Sequence, residues 1–342
     1  MFGDYNNNWC VCVAYILNVA YFHYSVSHSR ERQVHFQILG KLVHVKSTSR
    51  VEWPTVLLVL GCYVIWAIAT TYISAFWLPA GIIVTAAAIT MQSSLQHEII
   101  HGHPFSDQRL NAALVFPALI LFIPYLRFRD THLAHHQDSC LTDPYDDPES
   151  NFQDPMVWGR LPNALCVLLV FNNSLFGRML IGPLVAQVLF ILSEFRTLRA
   201  GDTRVITGWL WHLPALIPVF WWVVIVADIP LWAYVISAYI GISILKIRTF
   251  LEHRAHEHNC GRTVVIEDRG PLAFIFLNNN LHVVHHMHPE TPWYHLPALY
   301  RANRERYLTR NDSYHYASYG EIFRRFFFKA KDPVPHPLWP RD

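Results

Sequence analysis

Eight histidines fall into three tight groups. The stretch "QHEIIHGHP" places His97 and His101 four residues apart, "THLAHHQD" holds His132, His135 and His136, and "LHVVHHMHP" holds His282, His285 and His286. On a helix, positions i, i+3 and i+4 share one face, so each group aims two or three imidazoles at a single point. Imidazole is the commonest side-chain ligand for transition metals. One tetrahedral ion is satisfied by about four ligands, so eight histidines suit two ions, each with an open position for a small molecule. Spacing alone does not choose among iron, copper, zinc and nickel. Soluble di-iron bundles use Glu together with ExxH pairs. The one ExxH outside a longer box is Glu98 to His101, so that class does not fit. A lone histidine is more often a surface or core residue than a ligand, but three groups at helical spacing are not explained that way.

A fourth segment, "RTFLEHRAHEHNCGR" (248–262), carries His253, His256 and His258. His253, nearest the end of the preceding apolar run, is expected to complete the ligand shell, with His256 as its rival. His103, His288 and His295 break the spacing and are expected to hydrogen-bond in loops or behind the ligands. His212 sits inside an apolar run and is expected to pack within a helix bundle. Carboxylates orient metal-bound imidazoles through the second ring nitrogen, and Glu98, Asp130, Asp138, Glu252 and Glu257 adjoin the boxes. The proline-rich "LTDPYDDPES" (141–150) reads as a loop that closes over the site or docks a partner.

The elements that must hold these histidines are written in the composition. Of 342 residues, 52% are apolar and 15% charged, against about 25% charged in a soluble domain. The deficit points to a membrane. The net charge of +2 provides no field for nucleic acid. Six cysteines (10, 12, 62, 140, 166 and 260) lack CxxC spacing, which argues against a disulfide framework, a zinc ribbon or a fused rubredoxin-like carrier.

Two stretches, 51–108 and 205–245, contain no Lys or Arg. Each has room for two helices of bilayer-crossing length: 55–72 with 76–93, and 207–226 with 231–247. The links "ISA" and "ADIP" are short, so each pair is a hairpin that returns the chain to the side it left. Basic residues cluster outside the hairpins: Arg30, Arg32, Lys41, Lys46 and Arg50 before the first, Arg109, Arg127, Arg129, Arg196, Arg199 and Arg204 between them, and Lys246, Arg248, Arg254 and Arg262 after the second. The positive-inside rule puts these segments in the cytoplasm. The apolar runs 111–126 and 179–193 are shorter and read as interfacial helices. The expectation is an all-α integral membrane fold: four transmembrane helices in two hairpins, interfacial helices, and a cytosolic helical cap. Residues 1–49 have no basic start or cleavage site and read as a leader or interfacial segment, 50–310 as the membrane domain, and 311–342 as a C-terminal cytosolic tail.

HxxxH, HxxHH and HxxHH in this order, split by an apolar hairpin, resemble the integral-membrane fatty acid desaturase superfamily, which includes hydroxylases, alkane hydroxylases and carotenoid ketolases. The likeness covers about residues 50 to 310. "DTHLAHHQDSCLTDPYDDPES" and "HHMHPETPWYHLP" look most like its bacterial desaturase branch. The resemblance implies two non-haem iron ions at the cytosolic end, ligated by His97, His101, His132, His135, His136, His282, His285 and His286, with His253 as the additional ligand. Many relatives carry an Asn four residues before that ligand, binding through water; here the position is Thr249. The resemblance further implies O2 activation, a lipid or fatty acyl substrate entering between the helices, and electrons from a separate donor such as a ferredoxin or rubredoxin. It places the chain in a membrane, in a bacterium the inner one, with the site facing the cytoplasm. A hydroxylase or ketolase of the same superfamily is the alternative. A histidine-lined metal transporter or haem-binding protein is the rival of another class, and it would carry its histidines near mid-bilayer.

Overall fold

The computed structural model describes residues 51–339. The expected leader 1–49, Arg50 and residues 340–342 lie outside the described residues. Among the described residues, four helices are long and apolar enough to cross a membrane: α1 Trp53–Phe76, α2 Leu78–Ile100, α7 Arg204–Val226 and α8 Leu231–Thr249. Between them lie α3 Gln108–Leu114, α4 Tyr125–His135, α5 Leu175–Leu180 and α6 Gly182–Arg199; beyond them come β1 Val265–Ile266, α9 His282–Met287, β2 His315–Tyr316 and α10 Tyr319–Phe326.

The first hairpin turns more tightly than its sequence suggests. The expected link "ISA" is helical, because α1 continues through a wider π turn over Ala69–Ile73, and the corner is the extended residue Trp77. Gly81 permits this: a Cβ there would meet Ser74 Oγ at 2.1 Å and Ser74 Cα at 2.8 Å. The second hairpin turns at residues 227–230, as expected. The amides of Asp228 and Ile229 donate to Thr70 O at 3.0 and 2.9 Å, so both hairpin bends meet at one end of the bundle. At the other end, the Glu52 amide donates to Pro104 O at 3.2 Å. The two hairpins are therefore aligned, and the C-termini of α2 and α8 emerge together.

Helices α2 and α8 form the central contact. Small residues let their backbones approach, as is common between membrane helices. Thr90 Oγ1 donates to Gly241 O at 3.2 Å, and a Cβ on Gly241 would sit 3.2 Å from Ala86 O and 3.1 Å from Ile89 Cγ2. Large apolar residues on the outer faces, among them Leu57, Leu60, Val64, Leu213, Ile217 and Trp232, are exposed, as a lipid-facing surface requires.

The run 111–126 is not the interfacial helix that its apolarity suggests. Helix α3 stops at Leu114, residues 115–124 are irregular, and α4 begins at Tyr125. Pro117 and Pro124 remove helical donors, and Leu121 adopts a left-handed φ of 66°. Irregular backbone among membrane helices is tolerated only where protein satisfies it. Here Gln92 Nε2 donates to Pro117 O (2.5 Å), Tyr234 Oη to Leu119 O (3.0 Å), His212 Nε2 to Leu121 O (2.8 Å) and Gln187 Nε2 to Phe122 O (3.1 Å). The segment's Leu119, Ile120 and Leu121 join a buried cluster with Trp66, Ile89, Val219 and Tyr234. The second short run is helical as expected, as α6.

Residues 311–339, expected as a tail, fold back into the cap. Strand β2 pairs in parallel with β1, Val265 opposite His315 and Ile266 opposite Tyr316. Tyr314, Tyr319 and Ile322 are buried with Phe250, Leu251, Ile266 and Phe276.

The α2–α8 contact predicts that Gly241→Leu lowers stability by about 1–3 kcal/mol through overpacking, seen as a reduced melting temperature in detergent. Gly61→Leu, where a Cβ has nothing within 4 Å, is expected to leave it unchanged.

Candidate metal centre

The first two histidine boxes lie at helix C-termini, and the third fills a short helix of its own. His97 is in the last turn of α2 and His101 caps it. His132 and His135 end α4 and His136 caps it. His282, His285 and His286 lie in the single short helix α9. His253 follows the end of α8 by four residues. The hairpin alignment brings these ends together, and the imidazoles sort into two sets, each with its ligand atoms within 4.8 Å of one another. One is His97, His101, His132, His136 and His285; the other is His135, His253, His282 and His286.

In the first set, His132 Nε2 is 3.1 Å from His101 Nε2 and 3.0 Å from His136 Nε2, and His136 Nε2 is 3.2 Å from His285 Nε2. In the second, His253 Nε2 is 2.9 Å from His135 Nε2 and 3.0 Å from His282 Nε2, with His286 Nε2 3.1 Å beyond. The sets adjoin: the His136 and His286 rings stack with centroids 4.3 Å apart.

The outer ring nitrogens decide which way the inner ones face. His132 Nδ1–H donates to Glu149 Oε1 (3.0 Å), His135 Nδ1–H to Asp147 Oδ1 (2.8 Å), and His282 Nδ1–H to Asn279 Oδ1 (3.1 Å). Asn279 Nδ2 donates in turn to Glu252 Oε1 at 3.1 Å, which Arg248 Nε approaches at 3.1 Å. Committing Nδ1–H outward leaves the Nε2 lone pair pointing inward. Lone pairs facing one another at about 3 Å in a dry interior repel unless a proton or a cation lies between them. His97 Nε2, buried and without a hydrogen-bond partner, adds another such donor. All-imidazole sets backed by carboxylates fit transition-metal cations.

Burial, reinforced by neighbouring rings, holds His101, His136, His253, His282 and His285 well below the usual histidine range. Burial also lowers His132, against the opposing pull of Glu149. These rings are neutral, the form that binds metal. His135 differs. Burial pulls it down, but Glu149 and Asp147 outweigh burial and raise it to about 9. Burial raises the Glu149 carboxyl, yet His135 and His132 overcome it and keep it below the ordinary carboxylate range.

The structure brings in His253 and leaves its rival outside: His256 turns to His258 O (3.0 Å) and Asp312 (3.3 Å). The orienting carboxylates are mostly not those adjoining the boxes in sequence. Asp130 pairs with Arg127 and Arg129, Glu257 is exposed, and the Asp138 side chain lies outside the described residues. Glu98 accepts from the Trp293 amide (2.9 Å) and lies 3.8 Å from His103 Nε2, whose Nδ1–H donates to Glu52 at 2.8 Å. Glu252 acts through Asn279. Asp147 and Glu149 come from the 141–150 loop, whose turn at Asp147 folds it back over α4. Their one sequence signal was an acidic, proline-broken run shortly after HxxHH. His212 is buried on Leu121 O, in the bundle. Thr249 Oγ1 is buried without a partner.

Two poly-imidazole sets, each able to hold a metal ion, gather beside the ends of α2 and α8 in a multi-pass membrane protein. The profile of the fatty acid desaturase family matches residues 74–318, and the chain belongs to that family. A curated relative, the temperature-sensitive sn-2 acyl-lipid omega-3 desaturase (ferredoxin), chloroplastic, of Arabidopsis thaliana, is 24% identical over 232 residues, covering 59% of this chain and 51% of that protein. The chain thus spans about half the length of that relative. Its family and its four long apolar helices make the chain a multi-pass membrane protein.

A cation entering the second set has to displace the His135 proton. Apparent Co2+ affinity of metal-stripped protein is therefore expected to rise with pH until about 9, with proton release measurable by calorimetry in two buffers. Asp147→Asn removes the negative charge beside the His135 ring and lowers its pKa. It should move that rise to lower pH and weaken binding by about 10- to 100-fold; a pH-independent affinity would contradict the assignment.

Proposed function

We propose that the protein is a membrane-bound non-haem di-iron oxygenase that desaturates fatty acyl chains. The observation that carries this reading is the inward-facing Nε2 lone pairs of two adjoining histidine sets. His97, His101, His132, His136 and His285 would hold one iron, and His135, His253, His282 and His286 the other. Removing hydrogen from an unactivated alkyl carbon is beyond any side chain, so bound iron supplies the O2-dependent oxidation. The chain's residues do the rest. Asp147, Glu149 and the Glu252–Asn279 pair fix the tautomers of His135, His132 and His282. The neutral, buried imidazoles of His101, His132, His136, His253, His282 and His285 keep protons off their ligand atoms, and the packed helix ends exclude water.

The family and the acyl-lipid desaturase relative support a fatty acyl substrate, and the relative's ferredoxin supports a separate small iron–sulfur donor, a ferredoxin or rubredoxin. The basic segments flanking both hairpins support a cytoplasmic site, in a bacterium at the inner membrane. Residues 50–310 would form the catalytic membrane domain. The histidines gather at helix ends rather than along the spans, which speaks against a transporter.

Lipid mass spectrometry of a host expressing the chain should show new double bonds in acyl chains. His286→Ala should reduce them by more than the about 10- to 100-fold that loss of a ligand's supporting partner costs. New alcohols or ketones in their place would make it a hydroxylase or ketolase of the same family. No new lipid, with wild-type protein carrying iron, would remove the acyl substrate from the proposal.

A further inference from the structure

The family profile ends at residue 318, yet the chain beyond it reaches the second histidine set. Helix α8 stops at Thr249, so the carbonyls that follow need donors from elsewhere. Two come from the C-terminal segment. Tyr314 Oη donates to Leu251 O at 2.7 Å, and Lys331 Nζ donates to the backbone carbonyl of His253 itself. The Lys331 side chain is 8% exposed and its ammonium lies 3.1 Å from Asp332 Oδ2.

The segment carrying Lys331 is pinned along its length. Phe176 N donates to Phe327 O (2.9 Å), Lys331 N to Asn173 O (3.1 Å), Gln153 N to Val334 O (2.9 Å) and His336 N to Gln153 O (2.8 Å). The His336 ring meets Thr142 Oγ1 at 3.3 Å. Thr142 N in turn donates to Asp147 Oδ2 at 2.9 Å, and Asp147 holds His135. Residues 327–339 thus touch the supports of two members of the four-histidine set, His253 through Lys331 and His135 through Thr142 and Asp147. Lys331 and His336, which make the first contact on each path, lie outside the family match.

We propose that residues 327–339 form a strap, with Lys331 as the positioning residue for His253, that sets metal retention by the four-histidine set and leaves the five-histidine set unaffected. The inference rests on the two-metal reading above. His253 is the one ligand of its set outside a helix: its neighbours pair with the facing strand, Arg254 N to Arg262 O at 2.9 Å and Val264 N to Glu252 O at 3.1 Å, and the His253 carbonyl between them is left to Lys331. Removing the Lys331 donor leaves a buried carbonyl unmade and frees the ring that it carries.

The test is metal content per chain during timed dialysis of the full-length protein against EDTA, with melting temperature read in parallel. Wild type should hold two metals. Lys331→Met should release one of them about 10- to 100-fold faster, the range for groups that support ligands, and keep the other at the wild-type rate. Lys331→Arg, which keeps a donor, should restore retention. Release of both metals in step with a fallen melting temperature would make Lys331 merely structural and overturn the proposal, as would wild-type retention of both. If Lys331→Met does not fold, His336→Ala leaves Lys331 in place and should still speed release of one metal alone; unchanged release from it overturns the strap. A wild-type protein that binds no metal would instead remove the two-metal reading itself.

Discussion

Nine imidazoles from four separate chain segments gather in two sets with their ligand nitrogens within 4.8 Å of one another, eight of them 2.9–3.2 Å from a neighbouring ring nitrogen. That arrangement is unfavourable by itself, because burial removes the water that would otherwise solvate each nitrogen. Everything around it serves to impose it. Asp147, Glu149 and Asn279 occupy the outer Nδ1–H groups of His135, His132 and His282 and so keep those three rings from turning round. Where the carboxylates are strongest, Glu149 and Asp147 raise His135 to about 9 against the burial that lowers its neighbours.

The membrane bundle is the ruler for this arrangement. Two hairpins with bends at the same end deliver the C-termini of α2 and α8 side by side, and with them His97, His101 and the approach to His253. The close α2–α8 contact at Ala86 and Gly241 sets their separation. The irregular segment 115–124 fills the bundle and launches α4, which carries the second box. Its carbonyls consume Gln92, His212, Gln187 and Tyr234, which explains polar side chains in otherwise apolar helices.

Much of this was legible in one dimension. The absence of Lys and Arg over 51–108 and 205–245 marked the four spans, because charge is excluded from lipid whatever the tertiary fold. Helical spacing within each box announced shared faces, and proximity to the end of α8 favoured His253 over His256. The misses have physical reasons. Apolarity over 111–126 looked like a helix, but two prolines and a left-handed Leu121 make it a loop that only neighbouring side chains can satisfy. Carboxylates adjoining the boxes were the natural supports, yet a residue next to a ligand on a helix points away from the ligand's face. Asp130 therefore pairs with arginines while Asp147 and Glu149, 12 and 17 residues from their histidines, reach back.

Sequence alone determined the class of chemistry and its setting: histidine triads at helical period and spans without charge are local properties, readable without knowing what they touch. Tertiary structure decided how eight boxed histidines and His253 divide into five and four, which acids hold them, and that residues 327–339 belong to the site. Those are contacts between positions up to about two hundred residues apart, set by how helices pack and where loops return, and no spacing along the chain encodes them.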